Sequence, residues 1–122
     1  MNIMTRAQDF KMSTSIDRFV RDQVGTALHR FSEDILSVDV FMKDCNGPKG
    51  GVDKHALIRV RLRNRQVIAL ETAHENLYAA VKKGSKQTKR AVRRQLQKSR
   101  RIQKQHMRDH LHDIDIAAAI SN

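Results

Sequence analysis

Residues 56–63 alternate in register, with apolar and cationic side chains strictly alternating from Ile58 on, and this pattern constrains the fold more than any other feature. Ile58, Val60 and Leu62 fall on one side, Arg59, Arg61 and Arg63 on the other. A period of two is that of an extended strand, and three arginines on one side mean that only the other side is buried. A sheet with one apolar face needs a cover, so amphipathic helices must lie elsewhere in the chain. Three further segments repeat the strand signal. Residues 2–6 alternate Ile3 and Thr5 with Met4 and Arg6, and 36–44 set Val38, Val40 and Met42 against Asp39, Phe41 and Lys43. Residues 66–72 place Ile68, Leu70 and Thr72 in the register of the 56–63 strand, with Asn64-Arg65 as the tight turn between them.

Two segments supply the cover. Ser13 can cap a helix over about 14–30, whose Ile16, Phe19, Val20, Val24, Ala27, Leu28 and Phe31 recur at helical spacing. Asn76 can cap a second helix, expected over 77–104. Its stripe is Leu77, Ala80, Val81, Gly84, Thr88, Ala91, Val92, Gln95 and Leu96. The stretch 45–53 contains the only proline and three of the five glycines, and reads as a loop. The order is therefore β-α-β-β-β-α. It predicts an α+β two-layer sandwich, a four-stranded sheet with two helices packed on one face, and an open opposite face displaying Arg59, Arg61 and Arg63. A chain of 122 residues suits one such domain.

The charge is unevenly distributed. The formal net charge is +11, yet residues 82–108 hold six lysines and six arginines, and no acid occurs between Glu75 and Asp109. The body before this segment is nearly neutral, and the end carries Asp109, Asp113 and Asp115. Like charges three or four apart on a helix repel by a few tenths of a kcal/mol per pair. Solvated helix faces relieve this by interleaving glutamate, which is absent here. Lys82, Lys86, Lys89, Arg90 and Arg93 flank the apolar stripe, and Lys83, Arg94, Lys98 and Arg101 continue around the outside. The pattern points to a polyanion, and phosphate contacts of this kind weaken steeply with salt. The arginine row on the sheet has two readings, RNA contact or protection of strands from edge pairing. Phe41 alone could stack beside that row, which favours recognition by backbone and shape over base-by-base reading.

Several classes are excluded. No apolar run approaches the ~18–20 residues of a membrane span, and the first six residues contain no secretory h-region. The single cysteine, Cys45, excludes an internal disulfide framework and cysteine-pair zinc fingers. A cytoplasmic location is expected, with no membrane partner. The glycine-rich loop lacks the phosphate-loop signature and leads into a strand, so it reads as a hairpin connection. His106, His110 and His112 have spacing that could chelate a metal but lie in a polar end without a cysteine nearby, so no metal site is expected. No nucleophile, base and orienting group converge, so neither an enzyme nor a small-molecule substrate nor a cofactor is expected.

The element order, the Ser-capped first helix and Asn76-Leu77-Tyr78-Ala79-Ala80-Val81 opening a basic helix resemble the ribosome hibernation-promoting factor and ribosome-associated inhibitor family, also called sigma-54 modulation proteins. That family reads D-x-Y-A-A-I-D at this helix start; here Asn76 replaces the Asp and Val81-Lys82 replaces Ile-Asp. The loop Asn46-Gly47-Pro48-Lys49-Gly50-Gly51-Val52-Asp53-Lys54 is similar to that of a subgroup with N-G-P-x-G-G-x-D-K. The resemblance covers about 2–100. It implies a protein that binds rRNA of the small ribosomal subunit, blocks mRNA and tRNA access and silences translation under stress. It assigns RNA contacts to Lys82, Lys83, Lys86, Lys89, Arg90, Arg93 and Arg94, with Arg18 and Arg21 on the first helix. Long members add a C-terminal dimerisation domain; this chain is expected to be the short form. The expected organisation is a ribosome-binding-like domain at 1–104 and an acidic, flexible tail at 105–122. Two other readings stay open: a general double-stranded RNA-binding module, and a regulatory protein that modulates a transcription factor.

Overall fold

The computed structural model describes residues 1–44 and 53–121, with side chains described through Leu111. The strands are β1 (Asn2–Gln8), β2 (Ile35–Asp44), β3 (Lys54–Leu62) and β4 (Val67–His74); the helices are α1 (Thr14–Leu28) and α2 (Leu77–Ser121). The loop expected at 45–53 falls, apart from Asp53, outside the described residues, and Cys45 and Lys49 with it. The chain divides into two compact units, Met1–Val92 and Arg93–Asn122.

The first unit holds the sheet, in the order β1-β2-β3-β4, with β1 parallel to β2 and the other pairs antiparallel. This is the expected β-α-β-β-β-α sandwich. A parallel β1–β2 pair requires a crossover, and α1 provides it. Ile58 and Val60 are wholly buried and pair across the sheet with Leu70 and Ile68. The core adds Val20, Val24 and Leu28 from α1, Val38, Val40 and Met42 from β2, and Ala80, Val81 and Val92 from α2. Helix α1 and the part of α2 in the first unit lie over this apolar face. An added Cβ on Gly25 of α1 would meet Ile3 at 3.8 Å. One on Gly84 of α2 would sit 3.0 Å from Thr72 Oγ1 and 3.1 Å from Ile58 Cδ1. Gly84 thus lets the α2 backbone approach the sheet closely, and Thr72 Oγ1 donates to Ala80 O at 2.8 Å to hold it there.

Both expected caps form. Ser13 Oγ accepts from Ile16 N at 3.1 Å, and Asn76 Oδ1 accepts from Tyr78 N at 2.9 Å. Four local features differ from the sequence reading. First, α1 stops at Leu28, and His29–Asp34 form a 3-10 helix that buries Phe31. Second, a β-bulge between Ile35 and Ser37 shifts the phase of β2, so Ile35 and Val38 both face inward while Leu36 is exposed. Third, the four residues between β3 and β4 hold a three-residue turn, Arg63-Asn64-Arg65, rather than a two-residue primed turn. Arg65 N donates to Leu62 O and Leu62 N to Gln66 O. Of the turn residues, only Arg65, at φ 73°, takes the left-handed conformation. A turn closed this way needs positive φ at its last position alone. Fourth, helix α2 continues to Ser121, past residue 104 where the thinning stripe suggested its end.

The second unit, Arg93–Asn122, is helical through Ser121 and exposes Ile102, Met107 and Leu111. Gln105 Nε2 donates to Asp109 Oδ1 at 3.1 Å, one turn on.

Candidate nucleic-acid interface

The buried positions of α2 in the first unit are Ala80, Val81, Gly84, Ser85, Thr88 and Val92, a stripe along one side of the helix. Ser85 belongs to it although a serine carries no apolar signal; its hydroxyl is satisfied by donating to Val81 O at 2.8 Å. Off this stripe, the residues of α2 in the first unit are half-buried or exposed. Lys82, Lys83, Lys86 and Arg90 are exposed and Lys89 is half-buried along its stem. At 1.5 Å per residue they extend over about 12 Å of helix. Among the described residues none of the five makes an ion pair. Arg93, half-buried, and Arg94, exposed, open the second unit on the same helix.

The cations elsewhere differ in their partners. Arg21 Nε donates to both Asp17 oxygens, at 3.0 and 3.1 Å, and its terminal nitrogen to Ile3 O at 2.7 Å. Thr5 Oγ1 donates to the same Asp17. This network ties α1 to β1. The Thr5 hydroxyl, and then Arg21, hold the Asp17 carboxyl below the usual carboxylate range. Arg18 is exposed beside it. On the sheet, Arg59 is half-buried, pairs with Asp39 at 3.3 Å and lies 5.4 Å from the Phe41 ring centre. Its Nε has no hydrogen-bond partner. Arg61 is exposed on the open face, as the alternation predicts. Arg63 lies just past β3, in the turn, and its Nε donates to Glu33 O at 2.7 Å. The expected row of three arginines is therefore one exposed cation, one paired cation and one turn brace. Lys54, at the start of β3, bridges Asp44 at 2.7 Å and Asp53 at 3.2 Å. The Asp44 carboxylate raises its pKa above the ordinary lysine value.

The register aligns the open face in rows across all four strands. One row reads Arg6, Phe41, Leu57, Glu71, and the next Gln8, Lys43, His55, Ala73. Arg6 lies 5.8 Å from the Phe41 ring centre. A groove of about 510 Å³ lies over these rows. Sequence reasoning placed Phe41 on this face but missed Arg6 and Glu71, because strand order is invisible in a local alternation. Among the described residues no group of three or more His, Cys, Asp or Glu side chains could hold a metal, and no helix is long and apolar enough to cross a membrane.

A small mixed sheet under two helices, one with an acid-free cationic face, defines a class of compact α+β domains. Residues 3–100 match the family described as sigma 54 modulation protein / S30EA ribosomal protein, and the chain belongs to that family. The fold is similar to the N-terminal domain of Protein Y from Thermus thermophilus, with a TM-score of 0.65 at 21% identity; the match covers 77% of this chain and 98% of that one. It is also similar to a ribosomal subunit interface protein from Coxiella burnetii, with a TM-score of 0.63 at 14% identity, over 77% of this chain and 96% of that one. Among curated proteins, none matches the sequence.

Proposed function

We propose that this chain is a ribosome-associated binding protein, not an enzyme, that engages rRNA of the small subunit through the outer face of α2. Occupying that site, it blocks access of mRNA and tRNA and silences translation. The observation that carries this reading is the set of exposed cations Lys82, Lys83, Lys86 and Arg90, with Lys89 beside them, that make no ion pair among the described residues. Self-repulsion along such a face is relieved when phosphates approach and counterions are released. Membership of the S30EA ribosomal protein family and the fold shared with a ribosomal subunit interface protein support the ribosome as the source of those phosphates. Arg18 and Arg61, both exposed, are secondary contacts, as are Arg93 and Arg94 of the second unit. Arg21, Arg59 and Arg63 act mainly within the fold.

The test is sedimentation of the full chain with ribosomes and separated subunits over a salt series, alongside in vitro translation. Co-migration with small subunits, lost steeply as salt rises, and inhibited translation are expected. Absence from every ribosomal fraction at low salt overturns the reading. Equal affinity for any RNA duplex favours a general double-stranded RNA module, and salt-insensitive capture of a transcription factor favours the regulatory alternative.

A further inference from the structure

The groove on the open sheet face has a chemistry that the α2 face lacks. Its floor is apolar, made by Phe41 and Leu57 at adjacent positions of β2 and β3. Cations, Arg6 and Lys43, stand on the β1–β2 side. A carboxylate, Glu71, stands on the opposite strand, with its side chain 65% exposed and Oε1 3.5 Å from His55 Nδ1. Arg6, Phe41, Leu57 and Glu71 share one row, so the cationic and acidic ends lie about 14 Å apart at the strand spacing, and both side chains can reach inward.

We propose that this groove holds one unpaired guanine nucleotide of an RNA strand, with its base on Phe41 and Leu57, its phosphate at Arg6 and Lys43, and its Watson–Crick edge at Glu71. An apolar floor with an aromatic ring suits a flat aromatic ligand, because bases stack on aromatic side chains. Arg6 lies 5.8 Å from the Phe41 ring centre, within reach of the phosphate of a base placed there. An ionised carboxylate only accepts hydrogen bonds. Guanine is the base that presents two adjacent donors, N1–H and N2–H, on its pairing edge. The separation of cation and carboxylate across the apolar floor therefore matches a phosphate at one end and guanine donors at the other. A paired base could not lay its face on the sheet, so the nucleotide must be unpaired. A volume of about 510 Å³ admits one nucleotide but no row of them, consistent with a single aromatic platform.

This inference rests on the reading that the partner is RNA, and the experiment separates the two. The full chain, isotope-labelled, is titrated with an RNA hairpin whose loop exposes a single guanine, and with the same hairpin carrying uracil there. We expect the guanine hairpin to bind at least fivefold tighter, with amide shifts at Arg6, Phe41, Leu57 and Glu71 in addition to those on α2. Glu71→Gln should remove the guanine preference, and Phe41→Leu should weaken the guanine hairpin about fivefold. Arg6→Gln, at an exposed position, should weaken both hairpins and provides a test independent of Phe41→Leu if that variant fails to fold. Equal affinity for the two hairpins, with shifts confined to α2, overturns the guanine site while leaving ribosome binding intact. Failure of the full chain to bind any RNA or ribosome overturns both.

Discussion

Lys82, Lys83, Lys86 and Arg90 are exposed and make no ion pair among the described residues, whereas Arg21, Lys54, Arg59 and Arg63 each have a carboxylate or carbonyl partner. The two groups carry the same charge and are indistinguishable in composition. Cations of the second group brace the fold: they join α1 to β1, the two ends of the β2–β3 connection, β2 to β3, and the β3–β4 turn to the 3-10 helix. Cations of the first group contribute nothing visible to the fold and raise its electrostatic energy. Charge retained at that cost, on a helix whose opposite face is packed against the sheet, is the observation on which the proposed phosphate contact rests.

Four changes would break or sharpen this contrast. The largest effect should come from reversing Lys82, Lys83, Lys86 and Arg90 to glutamate. Ribosome or RNA binding at low salt should fall by orders of magnitude, and removal of four phosphate contacts should flatten the log–log salt slope by about three units. Thermal melting should shift little, because these residues are exposed; a collapse in stability comparable to the loss of binding would break the contrast. On the inner face of the same helix the expectation inverts. Gly84→Val should destabilise by about 2–3 kcal/mol in urea unfolding, since its Cβ would meet Thr72 and Ile58 closer than ordinary contact and the neighbours are buried.

Arg18 and Arg21 offer a smaller test within one helix turn. Arg21→Ala should lower the melting temperature by a few degrees, while Arg18→Ala leaves it unchanged and weakens binding instead. The stability difference should depend on pH in one direction. The Asp17 carboxyl is held below its ordinary range in the folded chain, so its contribution is present above that range and lost as pH falls through the folded value. Wild type and Arg21→Ala should therefore converge as pH drops below about 4. The smallest effect belongs to the turn. Arg65→Gly should stabilise by about 0.5 kcal/mol, by relieving the left-handed backbone of a residue with a Cβ, and should leave RNA binding unchanged. A fall in binding there would assign Arg65 to the interface.

Much of the fold was legible because strands and helices with one buried face write their period into the sequence. The alternation at 56–63, the stripes of α1 and α2, and the caps Ser13 and Asn76 needed no tertiary knowledge. The bulge at Ile35–Ser37 was not legible, because an extra residue shifts the phase without marking itself. The 3-10 helix that buries Phe31 was hidden because Phe31 also satisfied the α-helical spacing. Ser85 was missed because a hydroxyl can be buried once a backbone carbonyl accepts its proton. Of the interface, the acid-free run was readable in full. Partner assignments were not, since Arg21 finds Ile3 O eighteen residues away and Arg63 finds Glu33 O thirty residues away.

By itself, then, the sequence determined the number and type of elements, the face each buries, and the concentration of charge on α2, because all three depend on local spacing. Only the tertiary structure decided which cations remain available. It also created the open-face row of Arg6, Phe41, Leu57 and Glu71. That row draws on four strands whose order and register depend on the parallel crossover of β1 onto β2, a long-range pairing that no local pattern records.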